Sequence, residues 1–174
     1  VIDEAYIDFS TKQSWLNKLD EYPNLIITQT LSKAYGLAGI RLGICYASSE
    51  IISVLNKIKP PYNVNELTQQ KAFERLQNES TIKTEINYII EQKYILLKVL
   101  NEVNFIQKIY PTEANFILVK VDDATKRYNQ LLQNGIVIRN RTTQPLCENC
   151  LRLTIGTESE NKKLIEVFRN LTGF

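Results

Sequence analysis

The stretch from Asn24 to Gly43 constrains this chain more than any other. Asn24–Thr30 (NLIITQT) is apolar and β-branched over a strand's length and reads as a buried strand. It hands over at once to Ser32 and Lys33. A glycine-punctuated, otherwise apolar loop follows, Ala34-Tyr35-Gly36-Leu37-Ala38-Gly39-Ile40. Arg41–Ala47 then reads as a second strand. A buried strand that delivers a lysine into apolar surroundings makes an ammonium costly there unless it is paired or deprotonated. A desolvated lysine is a nucleophile and a base. Ser32 and Arg41 flank it with a hydroxyl and a fork of donors, a set that suits a phosphate. The spacing does not fit the phosphate loop of nucleotide hydrolases, where the lysine directly follows the glycines. The plain alternative is a surface Lys and Arg in a turn, and the crowd of apolar neighbours weighs against it.

Around that stretch the chain reads as α/β. Val1–Ala5 looks like the end of a buried strand entering a loop, and Ser14–Leu19 like a short helical turn. Ser48 or Ser49 caps a helix from Glu50 to about Lys59, which Pro60-Pro61 ends. Asn65–Gln77 is helical. Thr81 to about Val103 carries Ile82, Ile86, Ile89, Ile90, Leu96, Leu97 and Leu100 near a helical period and reads as one long helix. Strands are expected at Phe105–Tyr110, Ala114–Val121, Ile136–Arg139 and Leu151–Ile155. Helices are expected at Ala124–Gln133, stopped by Asn134-Gly135, and at Glu160–Leu171. The expected division is 1–62, the end of a mostly parallel large sheet; 63–103, connecting helices; and 104–174, a small α+β domain.

Composition excludes much chemistry. There is no His, which removes Ser-His and Cys-His nucleophiles and every His-ligated metal. A net charge of +2 gives no footprint for nucleic acid or a membrane surface. Met is absent too, and nothing like a signal peptide opens the chain, so its start is expected to be a cut within a longer protein. Of the 3 cysteines, Cys45 reads as a buried small hydrophobe. Cys147 and Cys150 form one C-x-x-C with no second pair to complete a zinc site and no helix following, as a redox pair usually has. The plain reading is two loop cysteines in a reducing cytoplasm.

Two further clusters stand out. Asp3-Glu4-Ala5-Tyr6 follows a strand end, where α/β folds place ligand contacts, although alone it reads more simply as a cap or turn. Arg139 ends one short strand and Arg152 lies inside another. An arginine in a half-buried strand wants an anion, or else a structural partner such as Glu158 or Glu160.

Taken together, DEAYIDF, TLSKAYGLAGIRLG, TEANFILVK and VIRNRTTQPLCENCLRLTIGT resemble the pyridoxal-phosphate (PLP) aminotransferases of fold type I, over essentially the whole chain. The paired arginines resemble the histidinol-phosphate branch. The resemblance implies PLP as cofactor, histidinol phosphate and glutamate/2-oxoglutarate as substrates, histidine biosynthesis as setting, and a cytoplasmic homodimer. It implies that Lys33 holds PLP and moves the substrate proton, with Asp3 on the pyridine nitrogen and Tyr6 on the phenolic oxygen. Ser32 and Arg41 take the cofactor phosphate, and Gly36 and Gly39 let the backbone approach the ring. Arg152 takes a substrate carboxylate and Arg139 a substrate phosphate; Asn115 matches a family position without a clear role.

The family's chain is about twice this length. A fragment of this size is therefore expected to bind PLP weakly, to be inactive alone and to self-associate through an exposed edge. Two other readings stand beside this one. One keeps the fold and changes the reaction, to a threonine-phosphate decarboxylase or an aromatic aminotransferase; the other is a non-catalytic fragment.

Overall fold

In the computed structural model, which describes residues 1–172, the run after Asn24 becomes strand β2 (Ile26–Thr30), between β1 (Ile2–Asp3) and β3 (Gly43–Ala47). β1 runs parallel to β2, with Ile2 opposite Ile27 and Asp3 opposite Thr28. β3 runs antiparallel to β2, from Ile26 opposite Ala47 to Thr30 opposite Gly43. The small sheet is thus mixed. Of β2's residues only Ile27 is fully buried, because a three-stranded sheet covers one face better than the other. The expected burial of the whole run is corrected accordingly.

Three helices follow: α1 (Ser49–Ile58), α2 (Glu66–Leu76) and α3 (Glu79–Leu100). Asn65 caps α2 by accepting from the Thr68 N–H at 2.9 Å. Lys59 is extended, as the residue before a proline must be, and α1 ends there. The chain packs as two compact units, Val1–Ile86 and Asn87 onward, and the division falls inside α3.

The second unit is built on β4 (Ile106–Ile109), β5 (Phe116–Val121), α4 (Ala124–Gln133), β6 (Arg139–Asn140), β7 (Cys150–Thr154) and α5 (Glu158–Thr172). Its sheet has the order β4-β5-β7-β6, antiparallel throughout. Strict alternation along β5 buries Ile117, Val119 and Val121. These pack with Leu96 and Leu100 of α3, Leu131 of α4, Leu151 and Leu153 of β7, and Phe168 of α5. Phe105 and Phe168 meet edge to face with centroids 5.6 Å apart. Burying each such side chain stabilises the unit by ~1.5–3 kcal/mol. Thr157 and Glu160 cap α5 reciprocally: the Thr157 N–H donates to Glu160 Oε2 at 2.7 Å, and the Glu160 N–H to Thr157 Oγ1 at 3.4 Å. Among the described residues no helix is long and apolar enough to cross a membrane.

Several expectations are corrected. Cys45 is exposed, because alternation along β3 turns it away from Ile44 and Tyr46 onto the open face. Arg41 lies outside β3, and strand β6 begins at Arg139 rather than Ile136. Cys150 is a fully buried strand residue, not a loop residue.

Candidate active site

The first unit gathers most of the candidate residues. β1 ends at Asp3, at the C-terminal end of the parallel pair, the usual place for ligand contacts in such sheets. Asp3 is exposed, and its Oδ1 accepts from the Ala5 N–H at 2.9 Å, which turns the chain away from the strand. The turn carries Tyr6 to the start of a short 3-10 helix, Ile7–Phe9. Lys33, half-buried just beyond β2, sets its Nζ 5.3 Å from the Tyr6 ring centroid. Among the described residues Lys33 has no ion-pair partner.

Arg41 sits at the end of a 3-10 turn, Ala38–Ile40, in a left-handed conformation with φ 58°. That conformation costs a non-glycine residue about 1 kcal/mol or more. It is held by the Leu31 N–H donating to the Leu42 carbonyl at 3.2 Å and by Thr68 Oγ1 donating to the Ile40 carbonyl at 3.2 Å. The exposed Arg41 guanidinium donates to the Ala38 carbonyl at 2.9 Å, which folds it back along the glycine loop. Gly36 is required by its φ of +70°, whereas at Gly39 a Cβ would meet nothing within 4 Å.

Behind this surface lies a polar scaffold. Glu4, beside Asp3, is buried, and its carboxylate accepts from Ser14 Oγ at 2.6 Å, the Trp15 N–H at 2.7 Å and Gln29 Nε2 at 3.0 Å. Burial pushes its carboxyl up, but these three donors outweigh burial and hold it below its ordinary range. Arg75 of α2 donates from Nε to the Tyr35 carbonyl at 2.9 Å while its fork engages Glu85. It thereby braces the loop two residues beyond Lys33. Burial raises both the Asp8 carboxyl and the Tyr35 phenol above their ordinary ranges.

The second unit holds the two arginines. Arg139 of β6 and Arg152 of β7 are opposite each other across the ladder, so both side chains stand on one face. Like charges so placed repel unless an anion sits between them. The Arg152 guanidinium lies 4.9 Å from the Phe116 ring centroid, and its buried Nε has no hydrogen-bond partner among the described residues. Neither Glu158 nor Glu160 serves as the partner that the sequence offered. Glu158 pairs with Lys162 at 2.6 Å, and Glu160 caps α5. Asn115 contributes its backbone carbonyl, which accepts from the Ile155 N–H at 2.9 Å.

Residues 1–168 match the aminotransferase class I and II family. The chain belongs to that family. It is 75% identical over 171 residues to a histidinol-phosphate aminotransferase of Flavobacterium johnsoniae, covering 98% of this chain and 49% of that protein. It superposes on the crystal structure of the histidinol-phosphate aminotransferase from Clostridium acetobutylicum with a TM-score of 0.91 at 26% identity, over 99% of this chain and 53% of that one. A similar likeness, with a TM-score of 0.84 at 25% identity over 97% of this chain and 48% of the other, links it to the Sinorhizobium meliloti enzyme, solved in complex with pyridoxal-5'-phosphate. The chain thus spans about half the length of the relatives it matches.

For this class I and II aminotransferase chain, sequence reasoning named Asp3, Tyr6, Ser32, Lys33 and Arg41 but passed over the scaffold. Glu4 stood in the same acidic cluster. Its burial, one residue past the end of β1, depends on Ser14, Trp15 and Gln29 closing around it, which the sequence does not show. Arg75 carried no signal, because its role depends on α2 folding back onto a loop 40 positions earlier in the chain.

Proposed function

We propose that, in a chain of the relatives' length, these residues belong to a PLP-dependent aminotransferase that exchanges an amino group between histidinol phosphate and 2-oxoglutarate. The observation that carries the reading is the first unit's donor set: the Asp3 carboxylate, the Tyr6 hydroxyl, an amine on Lys33 with no acid partner, and Arg41 folded against a glycine loop. That set fits the chemistry of PLP, which presents a ring nitrogen, a phenolic oxygen, an aldehyde and a phosphate. When bound, PLP supplies an electron-accepting ring that stabilises the charge left on a substrate carbon.

The chain's own residues do the rest. Asp3 holds a proton on the ring nitrogen through its negative charge. The Tyr6 hydroxyl donates to the phenolic oxygen. Arg41, with Ser32, binds the cofactor phosphate. The Lys33 amine anchors the cofactor and then takes the proton from the substrate α-carbon. The orphaned Arg152 Nε and the neighbouring Arg139 bind the substrate's carboxylate and phosphate. The relatives' names support the substrate assignment. The proposed setting is a cytoplasmic homodimer in histidine biosynthesis.

The test is a transamination assay on a chain of the relatives' full length. Histidinol phosphate with 2-oxoglutarate is expected to give glutamate, and Lys33→Ala is expected to abolish both turnover and the absorbance of lysine-bound PLP. Turnover of phenylalanine with none of histidinol phosphate overturns the substrate. Full activity in Lys33→Ala overturns the catalytic assignment. The 174 residues alone are proposed to bind PLP weakly, and stoichiometric binding contradicts that.

A further inference from the structure

The C-x-x-C that the sequence set aside has a different character in the fold. Cys147 and Cys150 are free thiols at the ends of a tight turn, closed by the Cys150 N–H donating to the Cys147 carbonyl at 3.0 Å. A turn of this kind brings its first and fourth Cα atoms within about 7 Å, and a disulfide accepts about 4.4–6.8 Å. Asn149, with φ 54°, fills the third position, where a turn with a left-handed residue favours Gly or Asn. Leu146, immediately before, is also left-handed at φ 61° and 98% exposed, a strained residue with no packing of its own.

The turn is fastened from outside. The Asn149 carbonyl accepts from the Val121 N–H at 2.9 Å, and its Oδ1 accepts from the Ala124 N–H at 3.3 Å. The end of β5 and the start of α4 therefore hold the two cysteines in place. The Cys150 thiol donates to the Glu148 carbonyl inside the same turn at 3.6 Å. The two thiols differ in access, since Cys150 is 0% exposed and Cys147 is half-exposed.

We propose that Cys147 and Cys150 are a reversible dithiol–disulfide pair that reacts with low-molecular-weight disulfides, with Cys147 as the entry thiol and Cys150 as the resolving one. The Cys147 thiolate attacks one sulfur of the disulfide RSSR, forming Cys147–S–SR and expelling RS⁻. The Cys150 thiolate then attacks the Cys147 sulfur, closing Cys147–Cys150 and expelling the second RS⁻. The two cysteine protons end on the two RSH products. The two electrons lost by the cysteines reduce the disulfide. Burial raises the Cys150 thiol above its ordinary range, so the second step quickens with rising pH. Closure alters β7 two residues before Arg152 on the same strand.

The experiment treats the folded chain with glutathione disulfide in a Cys45→Ser background, which removes the exposed third thiol. Intact-mass and tryptic peptide analysis follow, the peptide Thr142–Arg152 carrying both sulfurs. The expected product lacks two hydrogens on that peptide, carries no adduct, and reverts with dithiothreitol. Cys150→Ser is expected to trap a glutathione adduct on Cys147, and Cys147→Ser to leave Cys150 unmodified. A stable adduct on Cys147 in the chain that retains Cys150 overturns the proposal. So does closure that appears only in denaturant. The peptide result on the unsubstituted pair decides the matter even if either serine variant fails to fold.

Discussion

Replacing Glu4 with alanine tests the scaffold behind the Lys33 surface. Glu4 is 6% exposed, and its carboxylate accepts from Ser14 Oγ, the Trp15 backbone N–H and Gln29 Nε2 at 2.6, 2.7 and 3.0 Å. A hydrogen bond to a charged group contributes ~1.5–3 kcal/mol, but the three do not add. Ser14 and Gln29 lie at the half-buried edge and regain water once the carboxylate is gone. The expected loss is therefore about 2–3 kcal/mol. With a urea slope of about 2 kcal/mol/M, the midpoint falls by roughly 1–1.5 M. The assay is urea unfolding followed by fluorescence of the single tryptophan, Trp15, whose own N–H is one of the three donors. Folding lowers the Glu4 carboxyl below its ordinary 4.5. Its contribution is therefore full above that value and is lost as pH falls through the lower folded one. The gap between parent and Glu4→Ala should be constant near neutrality and shrink in acid. A midpoint shift below roughly 0.3 M at unchanged slope refutes the reasoning. A gap that widens in acid does so equally.

Asp8 carries the opposite sign. Burial raises its carboxyl above the ordinary 3.8, so ionised Asp8 destabilises the fold near neutrality. Asp8→Asn should raise the urea midpoint at pH 7, and the gain should vanish as pH falls below that ordinary value. Gly135→Ala should cost about 1 kcal/mol by thermal unfolding, because φ is +70°. The added Cβ meets only the flexible end of Lys163, at 3.2 Å, so strain in the backbone and not a clash sets the cost. Arg127→Ala should cost about 1–2 kcal/mol. It removes a fork on Asp122 at 2.9 and 2.6 Å and a guanidinium 4.1 Å from the Phe105 centroid. In a chain of the relatives' full length, Arg152→Gln should raise KM for histidinol phosphate about ten- to a hundredfold. An unchanged KM would remove Arg152 from the substrate site.

Much of this was legible in the order of residues. The helices at Ala124–Gln133 and Glu79–Leu100 follow from apolar spacing, and Asn134-Gly135 stops the first of them where such a pair should. The SKAYGLAGIRLG segment marked Lys33 as a candidate, because a lysine between a strand and a glycine loop has few ordinary uses, and the fold sets that lysine half-buried just beyond β2. The sequence was a poor guide to burial. Cys45 sits in an apolar run yet faces outward, and β2 is half-covered, because exposure depends on what packs against a sheet face and not on the strand itself.

What the sequence by itself determined is therefore local: element types, caps, the family, and which side chains are candidates for amine and phosphate chemistry. Tertiary structure alone decided which of them meet. Register across β6 and β7 placed Arg139 beside Arg152, though both were visible as isolated cations. Packing of Ser14, Trp15 and Gln29 around Glu4 buried it to hold a scaffold and left its neighbour Asp3 outside. A turn pinned by β5 and α4 set two unremarkable cysteines at the two ends of one tight turn. The physical reason is common to all three. Periodicity and capping are read within a few residues, whereas register and burial are set by contacts between segments far apart in the chain.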